Sequence, residues 1–97
     1  MHAAMRKYKI DPDQMDELSR RVADVFVPRI SDAPGFAGYY LVDAGNGIAI
    51  TFTLGEDPDA VASTMDTAVD FVSSELADLE IERVEAAHGD VTVSQAG

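Results

Sequence analysis

The sequence has no cysteine, no tryptophan and a single asparagine, and it sets only seven basic residues against eighteen acidic ones. Without cysteine there is no disulfide, no thiolate nucleophile and no iron–sulfur cluster. With a formal net charge of −11 the chain offers no basic face to a phosphate backbone, so no nucleic-acid partner is expected, and anionic membrane surfaces are disfavoured. No apolar run approaches the ~20 residues of a membrane-spanning helix. The first residues, Met1-His2-Ala3-Ala4-Met5-Arg6-Lys7, lack the apolar core of a signal peptide, so a cytoplasmic location without membrane association is expected. The acidity reads either as an ordinary solvated surface or as adaptation to high salt, where screening relieves self-repulsion.

What is present fits one domain spanning residues 1–97. A chain of this length buries roughly 65% of its unfolded surface, and domains this small often supplement their core by pairing, so a homodimer is expected.

The chain is organised around residues 34–54, where two apolar, β-branched runs flank Asn46-Gly47. That dipeptide tolerates the positive φ of a type I′ turn, whose twist matches the flanking strands. With an even loop, Tyr39, Leu41, Ile50 and Phe52 share one face and pack on the helices. Tyr40, Val42, Ala49, Thr51 and Thr53 share the other, uncharged face, which a second subunit would cover. A three-residue loop would reverse the partners. Before the hairpin, residues 4–10 alternate as a strand with Arg6, Tyr8 and Ile10 inward. Asp11-Pro12 opens a helix whose stripe is Met15, Leu18, Val22, Val25/Phe26 and Ile30, and Pro28 should kink or end it near residue 27. After the hairpin, Asp57-Pro58 opens a second helix over roughly residues 58–79, with Val61, Met65, Ala68/Val69, Val72, Leu76 and Leu79 inward. Two closing strand segments are expected, about 81–87 and 91–94, with a kink at Gly89-Asp90.

The order is therefore βαββαβ. With the Val27-Pro28 pair, the Pro34-Gly35-Phe36-Ala37-Gly38-Tyr39-Tyr40 lead-in and the Asn46-Gly47 turn, the chain resembles the dimeric α+β-barrel superfamily, specifically its antibiotic-biosynthesis-monooxygenase-like group. The resemblance implies an α+β, ferredoxin-like fold: a four-stranded antiparallel sheet with two helices on one face, paired across a dimer axis. It also implies activities such as cofactor-independent oxygenation of aromatic polyketides, quinol oxygenation or heme degradation. Members acting in these ways use an Asn near the first strand, a Trp in the pocket or a His on the second helix. Here the one Asn is Asn46, Trp is absent and residues 58–79 hold no His.

Candidate residues are few. His88, beside Gly89, has a side chain suited to general-base work at neutral pH if a bulge aims it into a cleft. Tyr39 and Tyr8 would hydrogen-bond a phenol or quinone, although such tyrosines more often serve packing. Phe26, Phe52 and Met65 would line an apolar cavity, and Arg29 would reach an anionic ligand or else pair with Asp32. His2 is terminal and expected to be disordered. Two histidines so placed do not make a metal site, and no cofactor is expected. Two readings follow: a homodimer binding or oxidising a small aromatic molecule without a cofactor, or a non-catalytic dimerisation or ligand-sensing module. A regulatory amino-acid-binding module of the same element order is a third.

Overall fold

The computed structural model describes residues 1–96. Strand β1 runs His2–Ile10 and ends where Asp11 caps the next turn, its carboxylate accepting from the Asp13 amide at 2.9 Å. A single 3-10 turn at Pro12–Gln14 leads into helix α1, residues 15–31. Strand β2 is Phe36–Asp43, β3 is Ile48–Gly55, helix α2 is Pro58–Glu75 and β4 is Ile81–Asp90. The sheet order is β2-β3-β1-β4, antiparallel throughout. Both helices pack on one face, so the fold is ferredoxin-like α+β.

Helix α1 does not stop at Pro28. Proline has no N–H to give the Asp24 carbonyl, and its ring crowds that turn. The chain responds by widening Val22–Phe26 into a π turn, with the Val27 amide donating to the Val22 carbonyl, and regular helix resumes over Val27–Ser31 with Pro28 in its first turn. The expected stripe is kept: Met15, Leu18, Val22, Phe26 and Ile30 are all buried.

The hairpin contains the expected positive-φ pair, Asn46 at 56° and Gly47 at 77°, closed by the Ile48 amide on the Gly45 carbonyl at 3.0 Å. Gly45 is also left-handed, at 84°, and is bulged out: Ala44 donates to the Ile48 carbonyl, so Ala44 and not Gly45 stands opposite Ile48. This one residue shifts the pairing, giving Leu41↔Thr51 and Tyr40↔Phe52. A one-residue slip turns a strand over. Ala49, Thr51 and Thr53 therefore face the helices beside Tyr39 and Leu41, while Ile50 and Phe52 join Tyr40 and Val42 on the open face. The expected face for β3 is reversed.

Three further expectations are corrected. The second helix ends at Glu75, followed by a turn in which the Leu79 amide donates to the Leu76 carbonyl. Of the expected inward residues, Val61, Leu76 and Leu79 are buried and Ala68 and Val72 pack on the core, but Val69 is 57% exposed, and Thr64 and Phe71, outside the expected stripe, are buried. The closing strand is continuous to Asp90, and its irregularity lies opposite Lys7/Tyr8, where Val84 has no partner, and not at Gly89. Residues 91–94 are not a strand. Across the helix layer, Arg21 bridges Glu17 and, at 2.6 Å, Asp78; Arg20 and then Arg21 hold the Glu17 carboxyl down at about 2.

Gly47 seats the hairpin on the β1–α1 junction. The Ile10 amide donates to its carbonyl at 2.8 Å, and a Cβ at Gly47 would lie 2.2 Å from the Ile10 oxygen. Around Gly45 a Cβ meets nothing within 4 Å. Gly45→Ala should therefore cost about 1 kcal/mol of left-handed strain, and Gly47→Ala about 3 kcal/mol or more once the backbone clash is added. Denaturant unfolding of the two variants reads the difference. Thr53 is 1% exposed and its hydroxyl is the one buried side-chain polar atom among the described residues without a partner. Thr53→Val keeps the shape and removes that unpaired group, so it should raise stability by about 1 kcal/mol in the same assay.

Candidate functional site

The register that turns β3 over puts its smallest side chains under the helices. Ala49 and Thr51 are too short to fill the layer, and a cavity of about 50 Å³ remains above them. Phe26 from α1 and Phe71 from α2 line it, their rings 5.2 Å apart, and Phe26 also meets the Tyr39 ring edge-on at 5.2 Å. Met65 from α2 completes the apolar wall. Against this lining stand Tyr8, Tyr39 and Arg6. Burial pushes ionisation of the Tyr39 hydroxyl far above its ordinary value, with a smaller push from Tyr8. Tyr39 is thus a neutral hydrogen-bond donor at physiological pH and does not act as a base. A volume of about 50 Å³ is room for a few waters, each needing about 10–15 Å³, and a fused-ring ligand would require the wall to move.

A second and roomier cleft, about 460 Å³, opens between the β1–β4 edge and the first turns of α2. Arg6 and Met65 line both spaces. His88 lies in this outer cleft, on the helix-facing side of β4, in register with Ala4. Its Nδ1 is 3.0 Å from Nε2 of His2, and Nδ1 of His2 is 3.2 Å from an Asp90 carboxylate oxygen. His2 is 8% exposed and part of β1, contrary to the expected disordered terminus.

Of the residues singled out from the sequence, Tyr8, Tyr39, Phe26 and Met65 are brought together around the inner cavity, and His88 stands apart in the outer cleft. Phe52 is not a lining residue: the Gly45 bulge puts it on the opposite face, 40% exposed. Arg29 lines neither space; it reaches across to Glu75, at 3.2 Å, and not to Asp32. Arg6, His2 and Asp90 were not singled out. The signal for two of them was present, since His2 and Arg6 have the same strand parity as the inward Tyr8 and Ile10. Asp90 is brought in only by its register opposite His2. Among the described residues no group of three or more His, Cys, Asp or Glu side chains converges in a way that would hold a metal ion.

Several solved structures share this architecture. HapK from Hahella chejuensis matches with a TM-score of 0.76 at 18% identity, covering 100% of this chain and 99% of its own. The monooxygenase ActVA-Orf6 of Streptomyces coelicolor, in complex with Nanaomycin D, matches with a TM-score of 0.75 at 14% identity over 99% of this chain and 91% of its own. This chain shares the ferredoxin-like α+β fold of these structures. The heme-degrader MhuD from Mycobacterium tuberculosis, with two hemes bound in its active site, matches this fold with a TM-score of 0.75 at 16% identity, over 99% of this chain and 100% of its own. No family model matches the sequence, and neither does any curated protein. At these identities the likeness is one of fold. On this scaffold the chain's one asparagine sits in the hairpin turn, and α2 carries no histidine.

The buried environment of Tyr39 has a direct readout. Alkaline titration followed by tyrosinate absorbance should show one of the three tyrosines ionising far later than the others, and Tyr39→Phe should remove that late step. Loss of an early step in Tyr39→Phe would contradict the placement.

Proposed function

We propose that the protein is a homodimer that binds a small aromatic molecule between its sheet and helices, in the space walled by Phe26, Phe71 and Met65. The observation that carries the reading is the distribution of size on β3. Its short side chains Ala49 and Thr51 lie under the helices and leave a cavity, while its large ones, Ile50 and Phe52, point to the open face. A monomer would gain by the opposite arrangement. Tyr40 at 58%, Val42 at 41% and Phe52 at 40% exposure form an apolar patch over β2 and β3, beside the in-register pairs Lys7↔Glu85 and Lys9↔Glu82 on β1 and β4. An uncovered apolar sheet patch bordered by charge is a pattern of protein interfaces, and a second copy of the same face is its simplest cover. Inside, an aromatic ring would meet the Phe26 and Phe71 rings, and a phenol or quinone oxygen would accept from neutral Tyr39. The cavity's small volume sets the ligand at one ring.

Oxidation of that ligand without a cofactor is a second reading. It is favoured by the likeness to the ActVA-Orf6 monooxygenase and by the placement of Arg6, whose guanidinium would stabilise a phenolate. Against it, the cavity itself contains no base, and a ligand-sensing module needs none.

Size-exclusion chromatography with light scattering should give a two-chain mass for the wild type and a one-chain mass for Phe52→Asp, which buries a charge if the face is covered. A one-chain wild type would refute the dimer. Calorimetric titration with a one-ring quinol should show binding weakened about tenfold or more by filling the floor with Ala49→Leu. Unchanged affinity in Ala49→Leu would place the ligand elsewhere. Oxygen uptake with the same quinol separates the oxidising reading from the sensing one.

A further inference from the structure

With both imidazoles neutral, the hydrogen-bond chain at the β1–β4 edge has one consistent protonation pattern. A carboxylate accepts and cannot donate, so the His2 nitrogen facing Asp90, Nδ1, carries the proton. A neutral imidazole has one N–H, so His2 Nε2 is an acceptor and the facing His88 Nδ1 is the donor. His88 is left with an unprotonated Nε2, the one ring nitrogen not engaged in the chain, in a cleft of about 460 Å³. This is an oriented base held by two successive hydrogen bonds, not a lone strand histidine.

The cleft also contains a counter-charge. Arg6 pairs with Ala86, and Ala4 pairs with His88, so Arg6 and His88 are diagonal neighbours on one face of two adjacent strands. Such diagonals lie about 7–8 Å apart at the backbone, well within reach of an arginine. Arg6 takes part in none of the ion pairs formed among the described residues, in a chain with eighteen acidic groups. The charged groups facing the cleft are therefore Arg6 from β1, the His2–Asp90 and His88 chain from β1 and β4, and Asp59 and Asp66 from α2. Two carboxylates on the helix side discourage a ligand that arrives as an anion. Base and guanidinium together favour one that arrives neutral and becomes an anion in place.

We propose that this cleft is an acid–base site for a neutral weak O–H acid, a phenol or an enol, which gives its proton to His88 Nε2 and leaves its oxyanion on Arg6. The O–H bond breaks, the N–H bond forms, and no oxidant or reductant is involved. The resulting imidazolium keeps its Nδ1–H on His2. Passing that proton to His2 Nε2 puts the positive charge beside the Asp90 carboxylate, which stabilises it. His88 is the catalytic residue of this step, Arg6 binds the anion, and His2 and Asp90 are positioning residues. The site is the outer cleft alone and stands whether or not the inner cavity takes a ligand.

The test has two arms. Nitrogen-15 NMR of the histidine rings, without any ligand, should show His88 protonated at Nδ1 and His2 at Nδ1. The Asp90→Asn variant should scramble the His2 tautomer, because an amide can donate as well as accept. A His88 protonated at Nε2 in the wild type overturns the proposal. In the second arm, 4-nitrophenol, whose phenolate is coloured, should ionise about one pH unit lower when bound, a tenfold preference for the anion. His88→Gln and Arg6→Gln should each abolish the shift, and Lys7→Gln, on the opposite face, should keep it. A shift unchanged in His88→Gln, or no shift in the wild type with 4-nitrophenol bound or added to saturation, overturns it. Because the NMR arm needs no ligand and the inner cavity is tested with Ala49→Leu, failure here and failure of the inner-cavity reading give different results.

Discussion

One left-handed glycine determines how the two sides of this sheet are used. The Asn46-Gly47 turn alone would pair Gly45 with Ile48 and bring Ile50 and Phe52 in under the helices. Gly45, at φ 84°, adds one residue to that side of the hairpin and turns β3 over. The remaining features follow: short side chains beneath the helices, a cavity above them, and large apolar residues with no intrachain cover. Gly47 fixes the arrangement by resting on Ile10, where no side chain fits. The turn thus couples the hairpin's register to the junction between β1 and α1.

The same logic makes the two faces interdependent. A sheet with Ile50 and Phe52 inside would have a fuller core and no reason to pair. Directing them outward gives up burial within one chain, worth about 1.5–3 kcal/mol for each large side chain, and that loss is offset only if another surface covers them. The uncovered apolar face and the cavity under the helices are then two results of one register. The widened turn of α1 contributes in parallel, since Val22–Phe26 brings Phe26 into contact with both Tyr39 and Phe71 while tolerating Pro28.

Much of this was legible in the sequence, and the failures have physical causes. The element order, both helix starts and the α1 stripe follow from local signals, namely Asp-Pro caps and 3.6-residue spacing, which act within one element. Tyr8, Tyr39, Phe26 and Met65 could be picked as lining residues for the same reason. The face of β3 could not, because Gly45 and Asn46 each tolerate positive φ and the sequence does not say how many residues the loop uses. Phe52 was misplaced on that single count. Pro28 announces a disturbance of α1 but leaves a kink and an end equally open, and the structure continues the helix through a widened turn. The edge cluster was missed because it is a contact between residues 2, 88 and 90, created by sheet order. Parity along β1 gives the face of His2, but only the β1–β4 register gives it partners.

The most direct measurement is isotope-filtered NMR on a sample mixed from labelled and unlabelled chains, observing the Phe52 ring. Cross-chain contacts from Phe52 to apolar side chains of its own open face, such as Ile50 and Met5, are predicted. Contacts from Phe52 to Phe26 or Phe71 within one chain would mean that β3 faces the other way and would contradict the account.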